Sequence, residues 1–430
     1  MRSGDVLGER FIIEQFAGRG GMGEVYRARD QQTEHSVAIK VLRGDATGDL
    51  ARFEREVRIL REIDHPSIVR YVAHGTAPDG DAYLAMEWLD GEDLGKRLSR
   101  GRLSPTESVQ ICLMIAEALG PLHARGIVHR DLKPSNVFLL SGQTNSIRVL
   151  DFGIARIESS TRMTGTGTLV GTFGYMAPEQ ANGANEIDAR ADIFALGCLL
   201  FECITGEPAF GGTHPMAILT KILFEEAPRL GDCCVGIPPD LESLVSRMLA
   251  KNRQERPRNG QEVVEALRKV TGISNVANDE TLEIRRAPAL TDSELQSLAV
   301  ILVGAPVMGN DTFGDEIAEL AKAHGATLQE LLDGSIAMML ASHAVATDLV
   351  SQAARCALAI AARVPGRRIV LALGRTRGHG TPLMGPAIDQ AGKLLSLDAV
   401  AQGVVIIDDS AAGLLDARFE VQDESGVYLL

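Results

Sequence analysis

Apolar and polar residues alternate near the start of the chain. From about Phe11 to Lys40 the alternation surrounds a cluster of glycines, and it is clear again over Ser36 to Leu42. Because a period of two puts the apolar side chains on one face of a strand, we predict a strand, a tight turn, a second strand and a third. Ile68 to Ala73 and Ala82 to Trp88 carry the same signal. The chain is therefore predicted to open with a small β-sheet.

Helical spacing of apolar residues dominates after this sheet. A first helix is predicted over Asp49 to Ile63, where charged residues fill the face opposite the apolar positions. The later helical segments are Pro105 to Gly120, Ala191 to Thr205, Leu241 to Leu249 and Gly260 to Val270. A small sheet followed by a larger helical part predicts a bilobal α+β domain over residues 7–270.

A second domain is predicted after a break in this periodicity. Polar residues and Pro288 interrupt the pattern over residues 271–290, which we interpret as a linker. Strands and helices then alternate: strand Leu298 to Val303, helix Phe313 to His324, a strand pair within Thr327 to Leu340, helix Ala346 to Arg363, strand Arg368 to Gly374, helix Pro386 to Leu395 and strand Val404 to Ile407. This alternation predicts an α/β sandwich over residues 291–430.

Composition excludes several classes of partner. The 430 residues carry a formal net charge of −14 and only 4% aromatic residues, so no nucleic-acid partner is expected. No run reaches the roughly 18 apolar residues of a membrane span, and the N-terminus lacks the apolar core of a signal peptide. Six cysteines without a C-x-x-C pair fit a reducing compartment. The sequence therefore predicts a cytoplasmic protein of two or three domains.

The chemistry is concentrated in His129 to Asn136, with the sequence HRDLKPSN, and in the later Asp151-Phe152-Gly153. Together they supply a candidate proton acceptor, Asp131, and two candidate metal ligands, Asn136 and Asp151. Transfer of a γ-phosphoryl group needs divalent ions that neutralise phosphate charge and a carboxylate beside the acceptor hydroxyl. The combination predicts phosphoryl transfer, whereas His-Arg-Asp alone could be an ordinary polar loop.

The glycine cluster Gly18, Gly20 and Gly23 forms a G-x-G-x-x-G match between two predicted strands. A dinucleotide site would need a helix next, but the next predicted element is a strand, which favours a flap over the phosphates of ATP. Glycine allows the backbone to approach a ligand closely. A simple tight hairpin turn is the alternative.

Lys40 lies in the apolar strand Val37-Ala38-Ile39-Lys40. An unpaired ammonium group would be costly there, so we expect a partner, and Glu56 on the following predicted helix is the natural one. Such a pair would orient Lys40 towards the α- and β-phosphates. A purely structural salt bridge is the competing interpretation.

The order and spacing of these motifs resemble those of the eukaryotic-type (Hanks-type) serine/threonine protein kinases. Within that family, the sequence resembles the bacterial branch. The resemblance covers about Leu7 to Val270 and includes Ala177-Pro178-Glu179. A lysine two residues after the catalytic aspartate, here Lys133 after Asp131, resembles the pattern of serine/threonine kinases and differs from that of tyrosine kinases. The resemblance implies the kinase fold, ATP as phosphoryl donor, Mg²⁺ as cofactor and proteins bearing Ser or Thr as substrates.

The resemblance also implies roles for single residues. Asp131 would accept or orient the proton of the substrate hydroxyl, and Lys133 would neutralise the transferred phosphate. Asn136 and Asp151 would bind Mg²⁺. Around the nucleotide it assigns the phosphate-loop glycines Gly18, Gly20 and Gly23, the adenine-facing Val25, Ala38 and Phe138, the hinge residues Glu87 and Leu89, and Asp93 near the ribose. Its structural assignments are the buried ion pair Glu179–Arg256 and the catalytic-loop anchor Asp192.

Two cations, Arg130 and Arg156, would converge near the segment that follows Asp151. Uncompensated, they repel each other, and a phosphate between them would form charge-assisted hydrogen bonds that order the segment. We therefore predict autophosphorylation of this activation segment. Its candidate residues are Thr164, Thr166 and Thr168, with Thr172 close to the segment's end. The alternative is that Thr161 to Thr168 is only a polar loop.

Three features of the second domain stand out: the opening strand Ser297 to Val303, the stretch Ala326 to Leu340 with Asp333-Gly334 inside it, and the segment Gly385 to Leu394. With these features, residues from about Ser297 to Leu430 resemble the class III nucleotidyl cyclase homology domain, an α/β sandwich with a ferredoxin-like fold. An active cyclase of that family would need two metal-binding aspartates, an asparagine and an arginine. Here Asp333 matches one metal position, the opening strand has no carboxylate, and Asp389 and Lys393 stand where the asparagine and arginine belong. One carboxylate cannot hold two ions against phosphate repulsion, so no cyclase activity is expected.

The second domain is therefore predicted to be a degenerate sensor or a dimerisation module. A dimerisation module would make the protein a homodimer. Two other functions stay open: a signalling scaffold that acts mainly through this domain, and a bifunctional kinase and cyclase. Bacterial kinase–cyclase fusion proteins have this layout, and further domains often follow in them. The chain could thus be part of a longer protein.

Overall fold

The computed structural model describes residues 1–20, 23–42, 57, 61–77, 80–151, 173–270, 295–306, 314–342, 346–377, 385–397, 404–424 and 426–430. The chain forms two compact units, each built from several stretches of sequence. The first unit comprises Met1–Ser159, Asp188–Gly206 and Pro257–Glu280. The second comprises Ser160–Ile187, Glu207–Arg256 and Thr281–Leu430.

Strands precede most of the helices in the first 270 residues. In chain order the elements are β1 Val6–Leu7, β2 Phe11–Gly20, β3 Gly23–Asp30, β4 Ser36–Leu42, β5 Tyr71–Thr76, β6 Ala82–Glu87, β7 Gly91–Asp93, α1 Leu94–Leu98, α2 Pro105–Ala124, β8 Val137–Leu140, β9 Ile147–Val149, α3 Pro178–Ala181, α4 Arg190–Thr205, α5 Pro215–Phe224, α6 Leu230–Cys233, α7 Pro239–Met248 and α8 Gly260–Leu267. The predicted helix over residues 49–63 lies outside the described residues except for residues 57 and 61–63.

The opening sheet has six antiparallel strands in the order β1-β2-β3-β4-β6-β5. The alternation predicted from sequence separates its two faces. One face is a core that includes Phe11, Ile13, Tyr26, Ala28, Val37 and Ile39. On the other face Val25, Ala38 and Lys40 are half-buried. The predicted strand Ile68 to Ala73 begins later, at Tyr71, because Ile68 instead forms an isolated bridge with Val149.

Helix α2 is the central helix of the first unit and contacts α4 and α8. Ser104 and Glu107 form a capping box at its start, in which the Ser104 side chain accepts the Glu107 N–H and the Glu107 carboxylate accepts the Ser104 N–H. The helix continues past Gly120 and through Pro121 to Ala124. Burial of its apolar side chains outweighs the poor helix propensity of glycine and proline here.

The C-terminal part of the second unit is one sheet with helices packed on it. Its elements are β10 Leu295–Val303, α9 Gly314–Ala323, β11 Thr327–Glu330, β12 Ile336–Ser342, α10 Ala346–Arg363, β13 Ile369–Arg377, α11 Gly385–Leu395, β14 Val405–Ile407, α12 Asp409–Leu414, β15 Gln422–Glu424 and β16 Val427–Leu429. The strand order is β11-β12-β10-β13-β14-β16-β15. Strands β13 and β14 pair in parallel, and the other pairs are antiparallel.

The first six of these elements follow one another as β-α-β-β-α-β, and β10 lies between β12 and β13. This is the split arrangement of ferredoxin-like domains. Strand β10 is almost wholly apolar and is buried from Leu298 to Val303, as a central strand must be. Among the residues that the structure describes, no helix combines the length and the hydrophobicity that a membrane crossing requires.

Candidate active site

Two predicted catalytic residues, Asp131 and Lys133, and the predicted metal ligand Asn136 form one cluster between α2 and β8. The carboxylate oxygen Oδ2 of Asp131 accepts hydrogen bonds from Lys133 Nζ at 2.9 Å and from Asn136 Nδ2 at 3.1 Å. Asn136 Nδ2 also donates to the backbone carbonyl of Asp131 at 2.7 Å. A 3₁₀ turn over Pro134–Asn136 brings Asn136 back towards Asp131, and the proline presets the first φ of that turn.

Asp151 meets Lys40 elsewhere in the first unit. Lys40 Nζ donates to Asp151 Oδ1 at 2.7 Å, and the two side chains are 12% and 37% exposed. Strand β4 supplies the lysine, and the residues after β9 supply the carboxylate. The lysine that we expected to pair with Glu56 therefore contacts a predicted metal ligand, while Glu56 lies outside the described residues.

His129 supports both candidate carboxylates from the interior. Its side chain is fully buried, its Nδ1 is 3.3 Å from the backbone nitrogen of Asp131, and its Nε2 is 2.9 Å from the carbonyl oxygen of Leu150. A backbone N–H can only donate and a carbonyl can only accept, so Nε2 carries the proton and Nδ1 accepts. This neutral tautomer ties Asp131 to the residue that precedes Asp151.

Asp192, in the first turn of α4, holds the same loop by its backbone. Its two carboxylate oxygens accept the N–H groups of His129 at 2.7 Å and Arg130 at 2.8 Å. Arg130 has a φ of +67°, a left-handed conformation that non-glycine residues seldom adopt, and these bonds hold it there. Burial lowers the pKa of the Arg130 guanidinium, and the nearby charge of Asp192 opposes that shift.

His123 completes this anchor, and sequence reasoning missed it. Its Nδ1 accepts the backbone N–H of Gly260 at 3.0 Å, so its Nε2 carries the proton and donates to Asp192 Oδ2 at 2.9 Å. A Cβ on Gly260 would lie 2.4 Å from the carbonyl oxygen of Ala116, so only glycine allows α8 to approach α2 this closely. No motif marked His123, because its partners come from distant segments.

Replacing Asp192 with asparagine should weaken this anchor. Three donors converge on its carboxylate, and an amide offers one acceptor oxygen and one NH₂ group in its place. A buried donor left without an acceptor costs about 1–3 kcal/mol, so we expect the Asp192→Asn protein to lose about this much unfolding free energy. Native-state hydrogen exchange measures the loss as a local free energy of opening, and exchange should rise at the amides of His129 and Arg130.

Asp188→Asn is the matched control. Asp188 lies just before α4, and its Oδ1 accepts the Arg190 N–H at 2.9 Å, a bond that the asparagine oxygen can keep. The substitution also removes the ion pair between Asp188 Oδ2 and Arg190 NH1 at 3.3 Å, and an exposed pair of this kind contributes little to stability. We expect a change below about 0.5 kcal/mol for this surface substitution. If the Asp192 variant were as stable and as protected as the control, the anchor would be disproved.

The residues predicted around an adenine ring lie on one face of the opening sheet and on β8. Val25 is opposite Lys40 in the β3–β4 register, and Ala38, two residues before Lys40, shares its face. Phe138 is opposite Asp93 in the β7–β8 register. All five residues are half-buried, as the lining of a cleft would be.

The predicted hinge residue Glu87 uses its side chain within the protein. Its Oε1 accepts from Arg148 Nε at 2.9 Å and from the backbone N–H of Arg70 at 3.0 Å. The backbone N–H of Glu87 also donates to the carbonyl oxygen of Arg70 at 3.0 Å. Leu89 is half-buried just beyond it, and Asp93 Oδ1 caps α1 by accepting the Lys96 N–H at 2.9 Å.

The glycine cluster lies where β2 turns into β3. Gly18 is opposite Val25 and Gly20 is opposite Gly23 in the strand register, so a strand follows the glycines, as predicted. Gly23 has a φ of +151°, which favours glycine. A Cβ on Gly18 would meet no atom of the described residues within 4 Å, so packing against that part of the chain does not explain this glycine. Close approach of a ligand would.

Asn136 and Asp151 fit a site for a divalent cation. Asn136 uses its amide nitrogen on Asp131, which leaves its oxygen as the atom that could bind an ion, and Asp151 gives only Oδ1 to Lys40. Amide and carboxylate oxygens are the ligands that Mg²⁺ prefers. The predicted activation-segment residues lie outside the described residues: Arg156, Thr164, Thr166, Thr168 and Thr172.

The second unit contains the predicted ion pair of the large lobe. Arg256 NH1 and NH2 donate to the two carboxylate oxygens of Glu179 at 2.8 and 3.0 Å, a bidentate arrangement. The arginine side chain is fully buried and the glutamate side chain is 10% exposed. Arg256 also donates to the backbone carbonyls of Ala250 and Lys251. Helix α3 is thereby fixed to the segment that follows α7.

The protein kinase domain family matches residues 11–267. The chain belongs to that family. The match confirms the predicted kinase fold of the first domain. The crystal structure of the kinase domain of PknI from Mycobacterium tuberculosis aligns with 64% of this chain and 100% of that domain, at 28% identity and a TM-score of 0.49.

Several curated relatives of this protein kinase family member are serine/threonine-protein kinases by name. PknB of Mycobacterium leprae (strain TN) is 38% identical over 258 residues, 58% of this chain and 41% of that protein. PknB of M. tuberculosis (strain ATCC 25618 / H37Rv) is 36% identical over 301 residues, 68% of this chain and 46% of that protein. Pkn3 of Myxococcus xanthus is 37% identical over 268 residues, 59% and 48% respectively. The chain spans less than half the length of these relatives.

Proposed function

We propose that this protein is a serine/threonine protein kinase that transfers the γ-phosphoryl group of ATP to Ser and Thr hydroxyls of proteins. One observation carries the proposal: Asp131 accepts hydrogen bonds from both Lys133 and Asn136 on a loop whose backbone is anchored at Asp192. Phosphoryl transfer needs this arrangement of base, cation and metal ligand. The names of the relatives support Ser and Thr as acceptors.

Each side chain has a part in this proposal. Asp131 would take or orient the hydroxyl proton, and Lys133, 2.9 Å from it, would hold the phosphate that approaches that hydroxyl. Lys40 would bind the α- and β-phosphates and so release Asp151 for the metal. Asn136 and Asp151 would hold Mg²⁺, which supplies neutralisation of the phosphate charge.

Autophosphorylation of the activation segment belongs to the same proposal. The full chain, purified and dephosphorylated, is incubated with Mg-ATP and its modified residues are mapped by mass spectrometry. We expect phosphate on Ser and Thr hydroxyls, with Thr164, Thr166 or Thr168 among them, because a phosphate there could pair with Arg130 and Arg156.

A Lys40→Met protein is the control, because it shows any phosphate acquired from the expression host. Phosphate on other protein substrates with an unmodified activation segment would defeat autophosphorylation alone. If phosphate were transferred to no protein hydroxyl at all, the proposed kinase function itself would be wrong.

The second domain is proposed to be a degenerate cyclase-homology module that senses or dimerises. The split β-α-β order of its sheet supports this. So does Asp333, whose carboxylate accepts from the Ser335 backbone N–H at 3.0 Å and from Ser335 Oγ at 2.7 Å and so serves its own turn. We expect no cyclic nucleotide from the full chain with Mg-ATP or Mg-GTP, and its appearance would instead favour the bifunctional enzyme. A cytoplasmic location, supported by six free cysteines, completes the proposal.

A further inference from the structure

Helix α5 of the second unit is buried on all sides. Every residue from Met216 to Ile222 is buried, including Lys221, which is only 8% exposed. A helix with one face in water shows buried residues only at every third or fourth position. Something must therefore cover each face of α5. Two of its neighbours are α3, which precedes it in the kinase domain, and α11 of the C-terminal domain.

The contact between α5 and α11 is close enough to require a glycine. A Cβ on Gly392 would lie 2.9 Å from the Cβ of Ala217 and 3.0 Å from the Cβ of His214. Gly392 lies inside α11, where glycine weakens a helix relative to alanine. Its presence is explained by the approach of the two helices and not by the stability of α11 alone.

An ion pair joins the same two helices. Lys221 Nζ donates to Asp389 Oδ2 at 2.7 Å and to the carbonyl oxygen of Gly211 at 2.6 Å. The other carboxylate oxygen of Asp389, Oδ1, is buried without a hydrogen-bond partner among the described residues. The lysine of such a pair becomes an uncompensated buried charge when its partner is removed. Loss of the aspartate charge should therefore weaken the whole contact.

Glu225 extends the contact to the start of α11. Its carboxylate accepts the backbone N–H of Gly385, the first residue of that helix. A negative charge at a helix N-terminus is favourable, because the helix dipole is positive there. Burial raises the pKa of Glu225, and the nearby Lys221 acts against this shift. Helix α11 is thus held by polar groups of the kinase domain at two points along its length.

A second part of the C-terminal domain contacts α3. The backbone N–H of Leu332, in the turn between β11 and β12, donates to the carbonyl oxygen of Ala181 at 3.0 Å. Ala181 ends α3, whose Glu179 forms the bidentate pair with Arg256. A C-terminal domain that was merely linked to the kinase domain would not need to donate a hydrogen bond to the last carbonyl oxygen of α3.

We propose that the face formed by α3 and α5 is a docking surface for the C-terminal domain, locked by the Lys221–Asp389 ion pair, and that the docked domain slows autophosphorylation of the activation segment. The activation segment continues through Phe173 directly into α3. Fixing α3 therefore fixes residues 173–177, to which the segment is joined, and this is the proposed cause of the slowing. The slowing rests on the kinase function proposed above, whereas the docking does not. The docking also explains why an aspartate, Asp389, stands at the position where an active cyclase would need an asparagine.

The test reverses the charge of one partner in the full chain. Asp389→Lys places two cations together, and the double variant Lys221→Asp with Asp389→Lys restores the pair in the opposite sense. Glu319→Lys is the matched control, because Glu319 is exposed on α9 of the same domain and its charge changes by the same amount. Hydrogen exchange of α5, α11 and residues 173–181 measures the dock, and the initial rate of autophosphorylation measures its effect.

We expect Asp389→Lys to raise exchange in all three segments and to raise the autophosphorylation rate about five-fold or more, within the usual range of coupling between sites. The control should match the wild type, and the double variant should return towards it. Unchanged exchange in Asp389→Lys would overturn the dock. Raised exchange with an unchanged rate would overturn its control over autophosphorylation.

Gly392→Ala provides an independent test, because the protection of α11 is expected to change in opposite directions with and without the dock. Alanine is the better helix former, so protection of α11 should rise if the dock does not exist. If the dock exists, the added methyl group pushes against Ala217 and protection of both helices should fall. If neither wild type nor variants transfer phosphate, the kinase function fails and with it the slowing, while exchange still decides the dock.

Discussion

Asp131→Asn should remove nearly all phosphoryl transfer while leaving the fold and nucleotide binding intact. Asparagine has the shape of aspartate, so the contacts from Lys133 and Asn136 keep acceptable partners, but the group can no longer take up a proton. Loss of a positioned general base typically costs 10²- to 10⁴-fold in rate. We expect kcat to fall by about this factor, with the KM for ATP changed by less than about three-fold, since Asp131 acts in the transition state.

Ser135→Ala is the control for this experiment. Ser135 is exposed on the same loop, between Lys133 and Asn136, and its hydroxyl has no part in the proposed chemistry. Steady-state transfer of labelled phosphate from ATP to a protein substrate measures both variants. If Asp131→Asn retained more than about a tenth of the wild-type kcat, the assignment of Asp131 would be wrong.

The same variant separates the kinase from the scaffold. An enzyme whose product matters should lose its cellular effect together with its activity. A scaffold that acts through the C-terminal domain should keep its effect in an Asp131→Asn cell line, because that domain is untouched. The comparison needs equal protein levels, which immunoblotting can establish.

The order of elements was predictable wherever one face of a strand or helix meets water. Strand β4 has the predicted bounds Ser36–Leu42, and α10 has the predicted bounds Ala346–Arg363. Both have a regular apolar period, since the sheet has two unlike faces and α10 covers one face of a sheet. Local sequence specifies such elements because the boundary between core and solvent imposes the period.

Helix α5 escaped prediction for the opposite reason. It is buried on every side, so no polar face marks its period, and its two short apolar runs, Met216 to Leu219 and Ile222 to Phe224, could equally have been buried strands. The C-terminal elements α12, β15 and β16 were missed because they are short. Long-range packing, absent from any window of sequence, decides these elements.

The candidate site was predictable as a set of residues but not as a network. The motif spacing brought Asp131, Lys133 and Asn136 together on one loop, and the structure shows that cluster. The bond from Lys40 to Asp151 joins residues 111 positions apart, and sequence favoured a different partner for Lys40. His123 was identified as part of the site only from its contacts with Asp192 and Gly260, because the fold brings these distant residues together.

Removing one partner of the Glu179–Arg256 pair should produce the largest loss of stability. Arg256 is fully buried, and Arg256→Met would leave the Glu179 carboxylate without its bidentate donor. A buried charge stripped of its partner costs about 3–5 kcal/mol. We expect a loss of that size in the local free energy of opening of α3, measured by native-state hydrogen exchange, since a chain with several domains need not unfold in two states.

Removal of both charges distinguishes the ion pair from simple packing. The double variant Arg256→Met with Glu179→Leu fills similar volume without leaving a charge, so its loss should be smaller than that of Arg256→Met alone. Arg253→Met is the matched control, because Arg253 makes one long bond of 3.3 Å to the carbonyl oxygen of Glu186; we expect a change below about 0.5 kcal/mol. A double variant no more stable than Arg256→Met would show that the unpaired Glu179 charge is not the cause of the loss, which would then come from the missing bonds to the carbonyls of Ala250 and Lys251. Because α3 continues directly from the activation segment, the same exchange experiment would also report how firmly the end of that segment is held.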